Sequence, residues 1–331
     1  MKLVTYLNGE HSESGTSAGR IGAVIGDRVV DLRKAALAAH RESSGAVLTS
    51  MLHLLQSGRQ GFEFVQGLVE WAAGNDEIAA ASPASGDVTL LAPVPRPTSM
   101  RDGYAFRQHV EAARRNRGVE MIPEFDQFPV FYFTNHQAVT GPGEVQVMEK
   151  HLNRLDFELE CAIVIGREGR DIAAAEADDY IAGYMVMNDW SARALQMEEM
   201  KLNLGPAKGK DFATSIGPFL VTRDELAPKR IAGDAGERYD LTMVTRVNGT
   251  EVSRGNLKDM TWTFAQIIER ASYGVTLYPG DVIGSGTVGT GCFLELNGSK
   301  ITDNWWLKDG DVVECEIDML GTLTNAIRKV G

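Results

Sequence analysis

The chain has 331 residues, of which 44% are hydrophobic and 24% charged, and its formal net charge is -12. That length supports one large domain plus a small one, and the composition is that of a globular protein with ample apolar surface to bury. The acidic balance argues against nucleic acid or an anionic membrane surface as main partner, because both demand basic patches. No segment reaches transmembrane length, and the N-terminus MKLVTYLNGEHSE lacks the apolar run of a signal peptide, so a cytoplasmic enzyme is the expectation. Cys161, Cys292 and Cys315 are scattered, each in a strand-like apolar context, and read as buried free thiols in a reducing compartment.

Residues 1–35 read as three short strands, KLVTYL, RIGAVIG and DRVVDL, with a tight turn at Gly26-Asp27. The loop Asn8–Gly19 is polar and rich in small residues, and is expected to be mobile. Residues 46–74 read as helical. Leu48, Met51, Leu54 and Leu55 fit that spacing, and Phe62, Phe64, Val65, Leu68, Val69 and Trp71 carry a second apolar pattern. Residues 75–98, with APVPRP near their end, read as a linker, which divides the chain into a small N-terminal domain (1–92) and a catalytic domain (93–331). Beyond it strands are expected at 130–134, 155–165, 181–188, 217–221, 239–247, 281–284, 292–296 and 311–319. Helices are expected at 104–116, 189–200 and 261–272. Runs of strands with few helices between them argue against a doubly wound sheet and favour a mixed α+β, mostly β roll or barrel.

The chemistry centres on LDFELECAIVIG at 155–166. Asp156, Glu158 and Glu160 alternate with Leu155, Phe157, Leu159 and Cys161, so on a strand Glu158 and Glu160 face the same way. Adjacent carboxylates on an apolar strand repel and lose solvation, a cost that a hard divalent cation removes. The competing reading is an edge strand with a solvated acidic face. In Asp102-x-Tyr104-x-x-Arg107-Gln108-His109, the histidine suits a general base. The alternative there is a helix capped by Asp102 with His109 in solvent. Asp189, where YMVMND meets SARALQ, either caps a helix or binds a cation, and Gln196 falls two helical turns on, near the same face. Lys210 lies on the turn Gly205–Asp211, which lacks phosphate-loop spacing but offers a lysine for a carboxylate or enolate. Gly284–Gly289 formally matches G-x-G-x-x-G. The dinucleotide reading is rejected because CFLELNG at 292–298 reads as a strand, leaving a loop that offers backbone amides and Thr287 to a ligand. Glu295 is either an exposed strand residue or a buried partner for His109.

The motifs RDGYAFRQH, PVFY…GPG, LDFELECAIVIG, MNDWSARALQ, GKDFATSIGPF and GSGT…FLELNG occur in the order found in the fumarylacetoacetate hydrolase family, which the chain resembles over about 100–298. The resemblance implies a C-terminal fumarylacetoacetase-like mixed β-sandwich roll behind a small SH3-like N-terminal domain. It implies a divalent cation, Mg²⁺ foremost and Ca²⁺ or Mn²⁺ as alternatives, on Asp102, Glu158, Glu160 and Asp189. It implies that His109, held by Glu295, activates water, while Lys210 and Gln196 steady negative charge. Tyr104, Tyr132, Thr287 and an arginine after the histidine, Arg117 in preference to Arg114 or Arg115, would contact a diketo or 2-oxo acid. Met200 and Asn135 depart from the family pattern where it recognises substrate. The leading expectation is a hydrolase that cleaves a C–C bond in a fumarylacetoacetate- or acylpyruvate-like acid. His109 with Glu295 favours it over the alternative of a 2-oxo acid decarboxylase, isomerase or hydratase on the same site, because decarboxylation needs no activated water. A non-catalytic, Ca²⁺-stabilised binding protein, with a closed metal site, is a third reading. The resemblance also implies a homodimer. Trp305-Trp306 reads as either an interface pair or an internally packed one, and the helix at 104–116, with Arg114, Arg115 and Arg117 near the expected site, is a candidate lid.

Overall fold

The strand Leu159–Ile165 is buried at every position, so apolar side chains must cover both of its faces. A computed structural model, which describes residues 1–7 and 19–331, shows what covers them. Cys161, Ile163 and Ile165 enter one core together with Val313, Cys315, Ile317 and Leu323. Ala162 and Val164 enter a second core with Leu3, Leu48, Met51, Leu54, Val65 and Leu68 from the N-terminal segment.

Between the two cores runs a twisted sheet. Its strands lie in the order Arg28–Asp31, Arg20–Ile25, Lys2–Leu7, Thr214–Val221, Ile181–Asp189, Leu159–Ile165, Val282–Gly284, Met100–Gly103 and Phe131–Phe133. Lys2 pairs with Val221 and Leu3 with Leu220, which hydrogen-bonds the N-terminal hairpin into this sheet. A second sheet, Thr250–Asn256, Thr242–Val247, Val312–Ile317, Gly321–Lys329 and Gly143–Val147, packs on the first core. The fold is therefore mixed and mostly β, with no helix among the described residues long and apolar enough to cross a membrane. The turn at Gly26-Asp27 joins its two strands as expected, with Gly26 at φ +61°. The helical stretch forms in pieces, Glu42–Thr49, Met51–Gln56 and Gly58–Ala73. The three cysteines are buried and free. Residues 8–18 of the expected mobile loop lie outside the described residues.

Several local expectations change: the strand expected at 239–247 divides into Arg238–Tyr239 and Thr242–Val247 in different sheets, and the expected linker contains the helix Asp76–Ala81. The strand at 155–165 is interrupted: Leu155–Asp156 pairs with Ser191–Ala192, and the ladder resumes only at Leu159. The helix expected from 189 begins at Arg193, because Asp189 still pairs with Thr214 as sheet. The expected strand at 292–296 is the helix Phe293–Gly298. Its first-turn N–H groups need acceptors, and they find the Asp156 carboxylate (Phe293 and Leu294) and the Cys292 sulfur (Glu295). The apolar alternation of FLEL concealed that tertiary cap.

Candidate active site

Strand register gathers the acidic residues. Glu160 pairs with Met187, two residues before Asp189; Ala162 pairs with Gly284, and Gly284 with Asp102. Paired residues share a face, as do alternate residues along one strand. Asp102, Glu160 and Asp189 therefore emerge on one face at one end of neighbouring strands. Glu158 joins them from the interruption before Leu159. Carboxylate oxygens of all four residues lie within 4.8 Å of one another, and all four are buried. Asp102 sits in the strand Met100–Gly103, and the helix beyond it has Phe106 as its cap, so the capping role considered for Asp102 is excluded. Asp189 likewise caps nothing: the cap of the next helix is Ala192.

Glycines make room for this convergence. A Cβ on Gly284 would stand 2.7 Å from Asp102 Oδ1 and 2.8 Å from Glu160 Oε2. Gly286, at φ +79°, donates its N–H to Asp102 Oδ1 (3.2 Å) and Glu160 Oε2 (3.0 Å). The glycine-rich loop thus serves carboxylates. A helix does follow it, contrary to the ground on which dinucleotide binding was rejected. The rejection now rests on burial of the loop and on Gly286, where a Cβ would meet the Gly103 carbonyl oxygen at 2.7 Å.

Burial, reinforced by Asp189, pushes the Asp102 carboxyl up to about 7. Burial and the neighbouring Asp102 push Glu160 well above the usual carboxylate range. Burial would raise Glu158 too, but the Lys210 ammonium and Arg193 guanidinium outweigh it and hold that carboxyl below its usual range. Lys210 donates to Glu158 and, at 2.6 Å, to Asp189 Oδ2, which also accepts from the Tyr132 hydroxyl. Glu160 Oε1 and Asp189 Oδ1 are buried with no hydrogen-bond partner among the described residues. Buried acceptors of this kind are costly when left unpaired, and an all-carboxylate oxygen set suits a hard divalent cation. The residues fit such an ion.

Beside the cluster, His109 is buried with Nδ1 2.7 Å from Glu295 Oε2. The solvated alternatives for both residues are excluded. The other Glu295 oxygen accepts the Thr290 N–H at 2.9 Å, which orients the carboxylate. One ring nitrogen of His109, a Glu158 oxygen and the Cys292 sulfur lie within 4.8 Å of one another, so Glu158 touches both groupings. A cavity of about 690 Å³ is lined by Asp102, Tyr104, His109, Arg117, Tyr132, Glu158, Glu160, Gln196, Lys210, Thr287 and Glu295. Of the residues that the resemblance assigns to the cation, to catalysis or to the substrate, only Asp189 is not among those lining it. Tyr104 meets the His109 ring edge-on at 5.8 Å. Arg117 lines the cavity and Arg114 and Arg115 do not. Gln196 is present because it accepts from Arg193 at 3.1 Å. The helical spacing from Asp189 is not the reason, since Asp189 is on a strand. Met200 lines the cavity, whereas Asn135 lies in a smaller neighbouring pocket and donates to the Asp211 carbonyl. Trp306 lines the cavity and Trp305 packs on Phe293. Sequence reasoning missed Arg154 and Arg193, which also line the cavity. Arg193 lay in a quoted motif, but nothing in its spacing marked it.

The Fumarylacetoacetate (FAA) hydrolase C-terminal family model matches residues 98–328. The chain belongs to the fumarylacetoacetate hydrolase family. Its relatives include the oxaloacetate tautomerase YisK of Bacillus subtilis, 31% identical over 93% of this chain and 95% of that protein. They also include a 2,4-didehydro-3-deoxy-L-rhamnonate hydrolase of Sphingomonas sp. (strain SKA58), 36% identical over 59% of this chain and 63% of that one. Among solved structures, a fumarylacetoacetate hydrolase from Exiguobacterium antarcticum superposes over 100% of both chains with a TM-score of 0.70 at 26% identity. The family is one of enzymes. Tautomerases and hydrolases both occur in it, so membership alone does not select C–C hydrolysis.

Proposed function

We propose that the protein is a divalent-cation-dependent enzyme that moves a proton between carbon and oxygen of a 2-oxo acid enolate, with keto–enol tautomerisation of a 2-oxo diacid as its reaction. The observation that carries this reading is the buried His109–Glu295 pair beside the four carboxylates. Held by Asp102, Glu158, Glu160 and Asp189, a hard cation (Mg²⁺ foremost, Mn²⁺ or Ca²⁺ otherwise) would supply Lewis acidity at the 2-oxo carbonyl. A carboxylate only accepts, so His109 donates from Nδ1 to Glu295 and its other nitrogen is left as a base. That nitrogen takes the proton from the carbon next to the carbonyl, and Glu295 stabilises the imidazolium formed. The proton is then returned to oxygen or carbon. Lys210 and Gln196 steady the negative charge, and Tyr104, Arg117, Tyr132 and Thr287 hold the substrate. The chemistry belongs to residues 93–331, with 1–92 as support, in a cytoplasmic homodimer.

A second reading is hydrolysis of an acylpyruvate-like acid, in which the same base takes its proton from water. The cavity favours it: Val130, Met197, Met200 and Leu294 offer an apolar wall that a four-carbon diacid would leave uncovered. The third reading, a closed structural ion, predicts no role for His109 and fits poorly with carboxylates that line an open cavity. The test follows the enol absorbance of oxaloacetate and of acylpyruvates after EDTA and after Mg²⁺, Mn²⁺ or Ca²⁺ is restored. Cation-dependent equilibration of oxaloacetate that falls by about 100-fold or more in His109→Ala supports tautomerisation. Cleavage of acylpyruvates with the same dependence transfers the assignment to hydrolysis. Rates unchanged in His109→Ala reject both.

A further inference from the structure

Asp156 is the one acidic residue of the DFELE stretch that stays out of the carboxylate cluster. It is wholly buried, and the interruption of the strand turns it toward two separate helices, Arg193–Met200 and Phe293–Gly298. Its Oδ1 accepts the N–H groups of Phe157 at 2.9 Å and Phe293 at 2.7 Å. Its Oδ2 accepts the Leu294 N–H at 2.9 Å and Arg193 Nε at 2.8 Å. Arg193, also buried, donates from Nη2 to Glu158 Oε1 at 2.7 Å. A continuous chain of charge-assisted hydrogen bonds therefore starts at Glu158 in the cation cluster. It passes through Arg193 and Asp156 and ends on the first turn of Phe293–Gly298, where Glu295 follows immediately and holds His109.

Nothing in this chain touches the reacting atoms through Asp156, which is not among the residues lining the cavity. Stability alone is a poor account of it, because a buried ion triad is often no more stable than an apolar trio of similar size. What the triad does supply is a fixed relation between its two ends. We infer that Asp156, acting through Arg193 and the Phe293–Leu294 backbone, is a positioning residue that sets the His109–Glu295 pair against Glu158. This inference rests on the proton-transfer reading of the same site. Asparagine keeps one accepting oxygen and turns the other into a donor, so in Asp156→Asn one of the two helix N–H groups loses its acceptor and Arg193 loses the charge that anchors it. Glu295 shifts with the helix, and a displacement near an ångström at the base is worth about 100-fold in rate.

The test uses the full chain saturated with diamagnetic Mg²⁺, which leaves the imidazole proton signals sharp. In Asp156→Asn the expected result is a kcat about 10- to 100-fold lower with KM within about threefold. The downfield proton signal of the His109 Nδ1–H bonded to Glu295 should broaden away or move upfield. Mn²⁺ titration by calorimetry should show weaker binding, since Arg193, no longer anchored at Asp156, does not fix the position of Glu158. Arg193→Lys, which keeps a charge but not the fork, should fall between wild type and Asp156→Asn, and it carries the test if the asparagine variant does not fold. A melting temperature that drops while kcat and the imidazole signal stay at wild-type values marks a purely structural residue and overturns the inference. If the wild type turns over none of the 2-oxo acids, the functional reading fails by itself, and the imidazole signal still decides: retained in Asp156→Asn, it rejects the positioning role.

Discussion

Gly284 lies between Asp102 and Glu160 in the sheet, and any side chain there would occupy the space in which their carboxylates meet. The strand itself would accept an alanine, since Gly284 has no positive φ. Gly284→Ala is therefore expected to leave the fold intact and to weaken Mn²⁺ or Mg²⁺ binding by at least about tenfold, read by calorimetric titration. An unchanged affinity would show that the two carboxylates need not converge to bind the ion. At this scale much was legible in the sequence. Glu158, Glu160 and Asp189 were marked by carboxylates in apolar stretches, and His109 by its chemistry. Gly284 and Gly286 were visible as glycines, but their purpose was not, because it is defined by Asp102 and Glu160, more than 100 residues away in the chain. Asp156 was read as one more member of an acidic face, and only the interruption of its strand assigns it to Arg193.

Short elements are held by partners that do not neighbour them in sequence. Glu237 shows this away from the active site. Its carboxylate accepts from Arg223 (3.1 and 3.0 Å) and Arg230 (2.9 Å) and from the Tyr239 hydroxyl, tying the hairpin of Arg230–Ile231 and Arg238–Tyr239 to the helix Arg223–Leu226. Burial would raise this carboxyl, but hydrogen bonds from Arg223, Tyr239 and Arg230 outweigh it and hold it below its usual range. A depressed carboxylate stabilises the fold fully above its unfolded pKa of about 4.3 and loses that contribution as pH falls through the folded value. Glu237→Gln should cost about 1–2 kcal/mol at neutral pH. The gap to wild type should close in thermal melts as pH drops below about 4, and a gap that persists in acid would refute the assignment. The helix Phe293–Gly298 follows the same rule. Phe293, Glu295 and Leu296 are its buried residues, a helical spacing in hindsight, but six residues are too few to separate that pattern from alternation. The Asp156 cap decides it.

The whole molecule buries one strand between two cores and opens the end of that strand into a cavity. On the proposed assignment, the four carboxylates gathered there hold a cation in the folded state, and the unfolded chain does not. At a free Mn²⁺ concentration 100-fold above Kd the linkage is worth about 2.7 kcal/mol, so EDTA should lower the melting temperature by about 4 °C for a chain of this size. Removing the ion from Glu160→Gln, which already lacks one charge, should shift it less. Equal shifts would place the ion elsewhere. By itself the sequence determined the family, the mostly β character, the acidic residues and the histidine, because motif order and the alternation of polar and apolar side chains are local properties. The tertiary structure alone decided which carboxylates face one another, that Asp156 turns away to Arg193, and that FLELNG is a helix. Register, close approach and capping depend on groups far apart in the chain, and no local pattern encodes the distance between them.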